Sequence, residues 1–154
     1  MRSMAVNLQI AVEDTDLTVS DERIEFWVNE TLKIISQPQK DLTVRLVEES
    51  EIKQLNRDYR NKDKPTNVLS FPFEGVPEVG YEYLGDIVVC MDVVRSESVQ
   101  QDKAFESHFA HMIIHGTLHL CDYDHQTDDE AEVMESLENT LLKQMRLVPD
   151  SSQS

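Results

Sequence analysis

Leu84 to Met91 reads LGDIVVCM, and beyond Asp86 it presents five apolar side chains in succession. A strand that alternates apolar with polar residues can leave one face to water. This one cannot, and it belongs to the kind that is buried on both faces. The other extended segments are arranged around that demand. VNLQIAV (6–12) and LTVRLV (42–47) alternate in the manner of half-buried strands. NVLSFPF (67–73) carries Pro72, which lacks a ladder donor and belongs at a sheet edge or strand end.

Between these strands the apolar period changes to that of a helix. Ile24, Trp27, Val28, Leu32 and Ile35 follow a candidate N-cap at Ser20 and stop before Pro38. A short helix from Ser50 to about Tyr59 comes next. After the buried strand, helices are expected over Val93–Gln100, Ala104–Leu120 and about Thr127–Met145. In the last of these Val133, Met134, Leu137, Leu141 and Met145 mark the inner face. The order β-α-β-α-β-β-α-α-α describes an α/β (or α+β) domain, with a small mixed four-stranded sheet and about five helices. At 154 residues, with no internal repeat or linker, a single domain is expected, with a frayed tail from about residue 148.

No apolar run approaches the roughly 20 residues that span a bilayer, and MRSMAVNLQIAVEDTD shows no export signal. Cys90 and Cys121 form no CxxC pair, so a reducing, cytoplasmic setting is the expectation. The formal charge is -16, an unusual balance for a nucleic-acid binder. Basicity is nonetheless concentrated locally: EIKQLNRDYRNKDK (51–64) holds five basic and three acidic residues. The opposite occurs from Asp128 to Glu138, where six acids read as a solvated helix face.

Four of the five histidines lie in HMIIHGTLHLCDYDH (111–125), and the fifth is His108. His111, His115 and His119 are spaced i, i+4, i+8, so consecutive pairs share one helix face. Three imidazoles on one straight helix cannot converge on one ion, because a residue eight positions away lies about 12 Å along the axis. The chain must turn, and CDYD offers the turn that returns His125. His115-x3-His119-x5-His125 is thus the candidate ligand set, leaving a coordination position open for catalysis. His111 is the rival ligand; His108 and His111 are otherwise capping, packing or surface residues. Three neutral nitrogens suit one zinc ion, with nickel, copper and iron also compatible by ligand type. Zinc peptidases carry a general-base glutamate in HExxH, but here that position is Gly116.

HGTLHLCDYDH resembles the HGxLHLxGYDH signature of the YbeY endoribonucleases, and YRNKDKPTNVLSFPFE and LGDIVVC are similar to that family's other two signatures. The likeness runs over about Val6 to Leu147. It implies a zinc-hydrolase-like, single-strand-specific, metal-dependent endoribonuclease that matures the 16S rRNA 3′ end and serves ribosome quality control. It assigns zinc to His115, His119 and His125 and gives Arg60 a functional role. The one departure is Asp122, where the signature has a glycine. A positive φ at that position would suit glycine better than aspartate.

The residue chemistry fits phosphodiester hydrolysis. Arg60 presents a planar fork for a phosphate, making Arg60 and His115 the catalytic candidates, while Lys62 and Lys64 can steer a strand. Pro65, Thr66 and Asn67 shape their loop, Ser70 and Phe71 lie near its rim, and Phe71 or Phe73 offers either a stacking face or core packing. Asp124 is a candidate for orienting an imidazole. The expected partners are single-stranded RNA and the ribosome or its proteins. Two other readings stay open: a metal-stabilised ribosome assembly factor with little cleavage of its own, to which the acidic charge points, and a metallohydrolase of another substrate class.

Overall fold

The computed structural model describes residues 6–11, 19–36, 40–73, 83–124 and 126–147. Pro38, the glycine-containing loop after Phe73, His125 and the tail from residue 148 lie outside them. The elements are β1 (Val6–Ala11), α1 (Asp21–Ile34), β2 (Asp41–Val47), α2 (Glu49–Arg60), β3 (Val68–Pro72), β4 (Tyr83–Cys90), α3 (Met91–Gln100), α4 (Phe105–Leu120) and α5 (Asp128–Gln144). The fold is α/β, with one mixed four-stranded sheet and five helices among the described residues. Among these residues, no helix is long and apolar enough to cross a membrane.

The strand order is β1-β2-β4-β3, parallel except for β3, which runs antiparallel to β4. β4 therefore lies inside the sheet, as its unbroken apolar run demands. One face of the sheet presents Leu42, Val44, Leu46, Val68, Ile87 and Val89 to α1 and α4. The other presents Val47, Leu69, Val88 and Cys90 to Ile52 and Leu55 of α2. The Cys90 thiol is fully buried, and that burial raises its pKa, so it remains a neutral core side chain. β3 is an edge strand, and Pro72 is its last residue, so its missing N–H interrupts no ladder.

Helix ends are made locally. Ser20 caps α1 by accepting from the Arg23 N–H at 3.3 Å. Thr127 and Glu130 form a reciprocal capping box at the start of α5, with bonds of 3.1 and 3.2 Å. At the C-terminal ends the left-handed residues are Ser36, Asn61, Asp102, Asp122 and Arg146, one after each helix. None of them is a glycine. The inner face of α5 differs from expectation in one respect. Met134 and Leu141 are buried, but Val133 is 53% exposed, and Glu138 is buried in its place. Glu138 stands four positions after Met134 and three before Leu141, so the helical period turns it inward despite its charge.

β4 carries a bulge opposite Asp41 and Leu42, which pair with Tyr83 and Gly85 and leave Leu84 as the extra residue. Gly85 has φ +140°, and a Cβ there would lie 2.2 Å from the Phe71 carbonyl oxygen. The neighbour is ladder backbone and cannot turn aside. Gly85→Ala is expected to lower stability by about 2–3 kcal/mol, read as a fall in the urea midpoint at constant m-value.

Candidate metal centre

From His108 to Leu120 every residue of α4 is buried except His111, His115 and His119. The helix has a core-facing surface almost all the way round, and its single open stripe is histidine at i, i+4, i+8. That arrangement follows from where α4 sits. It packs against α1, where Trp27 meets Phe109 edge to face at 5.6 Å, and against β3 and β4 of the sheet. At the sheet contact the Ser70 hydroxyl donates to the Gly116 carbonyl at 3.2 Å. A Cβ on Gly116 would fall 2.8 Å from Cγ2 of Ile87. The glutamate of a peptidase HExxH would therefore be driven into the sheet, which turns the sequence objection into a steric one.

His115 and His119 lie side by side, ring centroids 4.6 Å apart and nearly perpendicular at 82°. His115 Nδ1 is 2.6 Å from Oε2 of Glu138, and His111 Nε2 is 2.8 Å from Oε1 of the same carboxylate. An ionised carboxylate only accepts, so both imidazole nitrogens donate. In neutral His115 this places the proton on Nδ1 and makes Nε2 the unprotonated nitrogen. Burial raises the Glu138 pKa, but the hydrogen bonds from His111 and His115 outweigh it and bring the value to about 2. The carboxylate is charged throughout the neutral range.

A cavity of about 280 Å³ opens beside this group, lined by Asn67, Val68, His111, His115, Met134 and Glu138 among others. A second carboxylate, Glu97, holds one of its lining residues, Asn67. Glu97 accepts from His108 Nε2 at 2.9 Å and from Asn67 Nδ2 at 3.0 Å, while Asn67 Oδ1 accepts from the Val68 N–H. His108 is buried, a structural residue held by Glu97. Neither Glu97 nor Glu138 was identified from sequence as part of the site. Glu138 had a signal, its inward position between Met134 and Leu141; Glu97 had none.

The turn after α4 answers the question posed by Asp122. The Tyr123 N–H donates to the Leu118 carbonyl at 3.0 Å, and the Asp122 N–H to the His119 carbonyl at 3.1 Å. This is the Schellman arrangement, with Asp122 at φ +74° in the position that favours glycine. Tyr123 packs on the same apolar cluster that contains Leu118. A left-handed residue thus follows this helix, as one follows each of the other four described helices. Only residues 124–126 separate this turn from the capping box of α5, and His125 is the middle one. Among the described residues no three donors form a group able to hold a metal. The two described ligand candidates nevertheless fit one: adjacent imidazoles, one with Nδ1 engaged by a carboxylate. Cys121 is pushed up to about 11 by burial, with Asp122 adding to the rise, which keeps it a neutral thiol.

The basic candidates lie elsewhere. Arg60, Lys62 and Lys64 are all exposed, at the end of α2 and in the loop behind it, and none lines this cavity. The loop is held at its start by buried Asn56, whose Nδ2 donates to the Lys64 carbonyl at 2.9 Å. It ends at Asn67 in the cavity wall. Phe71 packs on the α2 side of the sheet, edge to face with Tyr59 at 5.1 Å, and Phe73 is half exposed.

Substitutions at two positions probe the seat of α4 and its turn. Gly116→Ala is expected to lose about 1–2 kcal/mol, because overpacking against buried Ile87 outweighs the helix-propensity gain of about 1 kcal/mol. Asp122→Val is expected to lose about 1–2 kcal/mol at the left-handed position, while Asp122→Gly holds or raises stability. Chemical denaturation of the three variants measures both.

Comparison with known proteins agrees with this architecture. The solution structure of TM1509 from Thermotoga maritima is similar, with a TM-score of 0.56 and 28% sequence identity, over 91% of this chain and 92% of that one. The model of the family described as Endoribonuclease YbeY matches residues 9–146, a span that includes the histidine stripe, its turn and the basic loop. The chain belongs to the YbeY endoribonuclease family.

Proposed function

We propose that this endoribonuclease is zinc-dependent and single-strand-specific, and that it matures the 16S rRNA 3′ end and takes part in ribosome quality control. The family supplies the coarser activity, RNA phosphodiester hydrolysis in rRNA maturation. The observation that carries the finer reading is the histidine stripe on an otherwise buried helix, with Nδ1 of His115 engaged by Glu138. His115, His119 and His125 would hold one zinc ion. When bound, such an ion supplies Lewis acidity and a nucleophile active at neutral pH.

The chain's own groups do the remaining work. Arg60 grips a phosphate with its guanidinium fork, and Lys62 and Lys64 attract the strand by charge. Asn56 orders the loop that carries both lysines, so they act from a fixed base rather than a floppy one. The cytoplasm is the proposed setting, and single-stranded rRNA on the ribosome the proposed substrate. Partner proteins fit the charge: with -16 overall, delivery by ribosomal proteins offsets the repulsion that a free RNA strand meets. The same charge favours a second reading, an assembly factor whose metal chiefly staples α4 to the chain that follows.

Metal analysis and cleavage assays on single-stranded and duplex RNA separate the two. The purified protein is expected to hold one zinc and to cut only the single strand. Arg60→Ala should slow cleavage roughly 30-fold, the equivalent of about 2 kcal/mol for a lost charge-assisted contact. His119→Ala should abolish both metal and cutting. Retention of wild-type cleavage in both variants would sink the mechanism. A wild-type protein that binds zinc but never cuts would favour the assembly factor. Lys62→Ala and Lys64→Ala should each reduce the slope of log affinity against log salt by about 0.7.

A further inference from the structure

Glu138 is an acid buried to 5% exposure inside a protein that has ample surface for its charge. Burying a carboxylate costs several kcal/mol unless it is paired and hydrogen-bonded. Its two oxygens are committed separately, Oε1 to His111 and Oε2 to His115. It comes from α5, while both histidines come from α4, so no local sequence preference explains the contact. The same carboxylate that binds His115 also binds the histidine one turn earlier, which cannot then present Nε2 to an ion without breaking the bond.

We infer that Glu138 is a positioning residue for the metal centre: its shared carboxylate fixes the Nδ1-protonated form and the ring orientation of His115, with His111 as the second arm of the clamp and not a ligand. This rests on the zinc reading proposed above. The clamp has two consequences. It commits His115 to ligation through Nε2, because Nδ1 is occupied. It also makes the docking of α5 part of the metal site, since the orienting group travels with that helix. His111 in turn holds Oε1, so the carboxylate cannot rotate away from His115 without losing a second bond.

The test measures zinc affinity, with the metal alone and a competing chromophoric chelator, for wild type, Glu138→Ala, Glu138→Gln, His111→Ala and His119→Ala. Glu138→Ala is expected to bind zinc about 10- to 100-fold more weakly. Glu138→Gln should recover most of that loss, because the amide oxygen still accepts from His115 Nδ1–H. His111→Ala should keep stoichiometric zinc, whereas His119→Ala should not. Long-range proton–nitrogen NMR of the metal-free wild type should show His115 protonated at Nδ1, and in Glu138→Ala a mixture of both tautomers. Circular dichroism checks that each variant is folded; if Glu138→Ala is not, Glu138→Gln, His111→Ala and the wild-type tautomer carry the comparison.

Zinc affinity in Glu138→Ala within twofold of wild type would overturn the inference while leaving the zinc reading intact. So would protonation of His115 at Nε2, or loss of stoichiometric zinc on removing His111. A wild-type protein that takes up no zinc overturns the zinc reading and this inference together.

Discussion

The contact between α4 and the sheet at Gly116 is the constraint around which the site is organised. With no side chain at that position, the helix backbone comes close enough for Ser70 to donate directly to the Gly116 carbonyl. The helix then becomes buried on its remaining sides by α1, α3 and α5. Its histidine stripe is the surface left over. A side chain at 116 would press on Ile87 and on the Ser70 hydroxyl. The same contact explains why the chain has the HxxxH spacing of zinc peptidases but not their glutamate.

Around that helix the polar groups are arranged by two carboxylates. Glu138 takes His111 and His115; Glu97 takes His108 and Asn67. Each carboxylate draws one element toward α4, α5 in the first case and the start of β3 in the second. Hydrogen bonds to an ionised group are stronger than neutral ones and leave less freedom to the rings. His108, His111 and His115 are therefore held by partners on other elements before any metal is considered. That pre-orientation is what a ligand set needs if binding is not to cost the ordering of its own side chains.

The acidic balance and the RNA-directed activity are reconciled by distribution. The exposed basic side chains Arg60, Lys62 and Lys64 are gathered at one end of α2, on a loop fixed by Asn56 and leading to Asn67 at the cavity. Five exposed acids, Asp128, Asp129, Glu130, Glu132 and Glu135, lie on α5. A polyanion near the basic loop would meet attraction locally, and repulsion from the acidic surface elsewhere.

Much of the secondary structure was legible without coordinates, since helix and strand periods are local properties. The histidine helix, expected over 104–120, is found over Phe105–Leu120, and Pro72 correctly marked an edge strand. The pairing of His115 with His119 also follows from spacing alone, and the resemblance of three signatures pointed to the family that the comparison shows. Tertiary structure decided what spacing cannot reach. Val133 and Glu138 exchanged their expected places because the inner face of α5 is set by what it docks against, and an acid is admitted there only because two imidazoles await it. Ser70 and Gly116 meet across 46 positions, and Glu138 and His115 across 23. Local periodicity says which face a residue occupies; only the packed chain decides which group stands opposite.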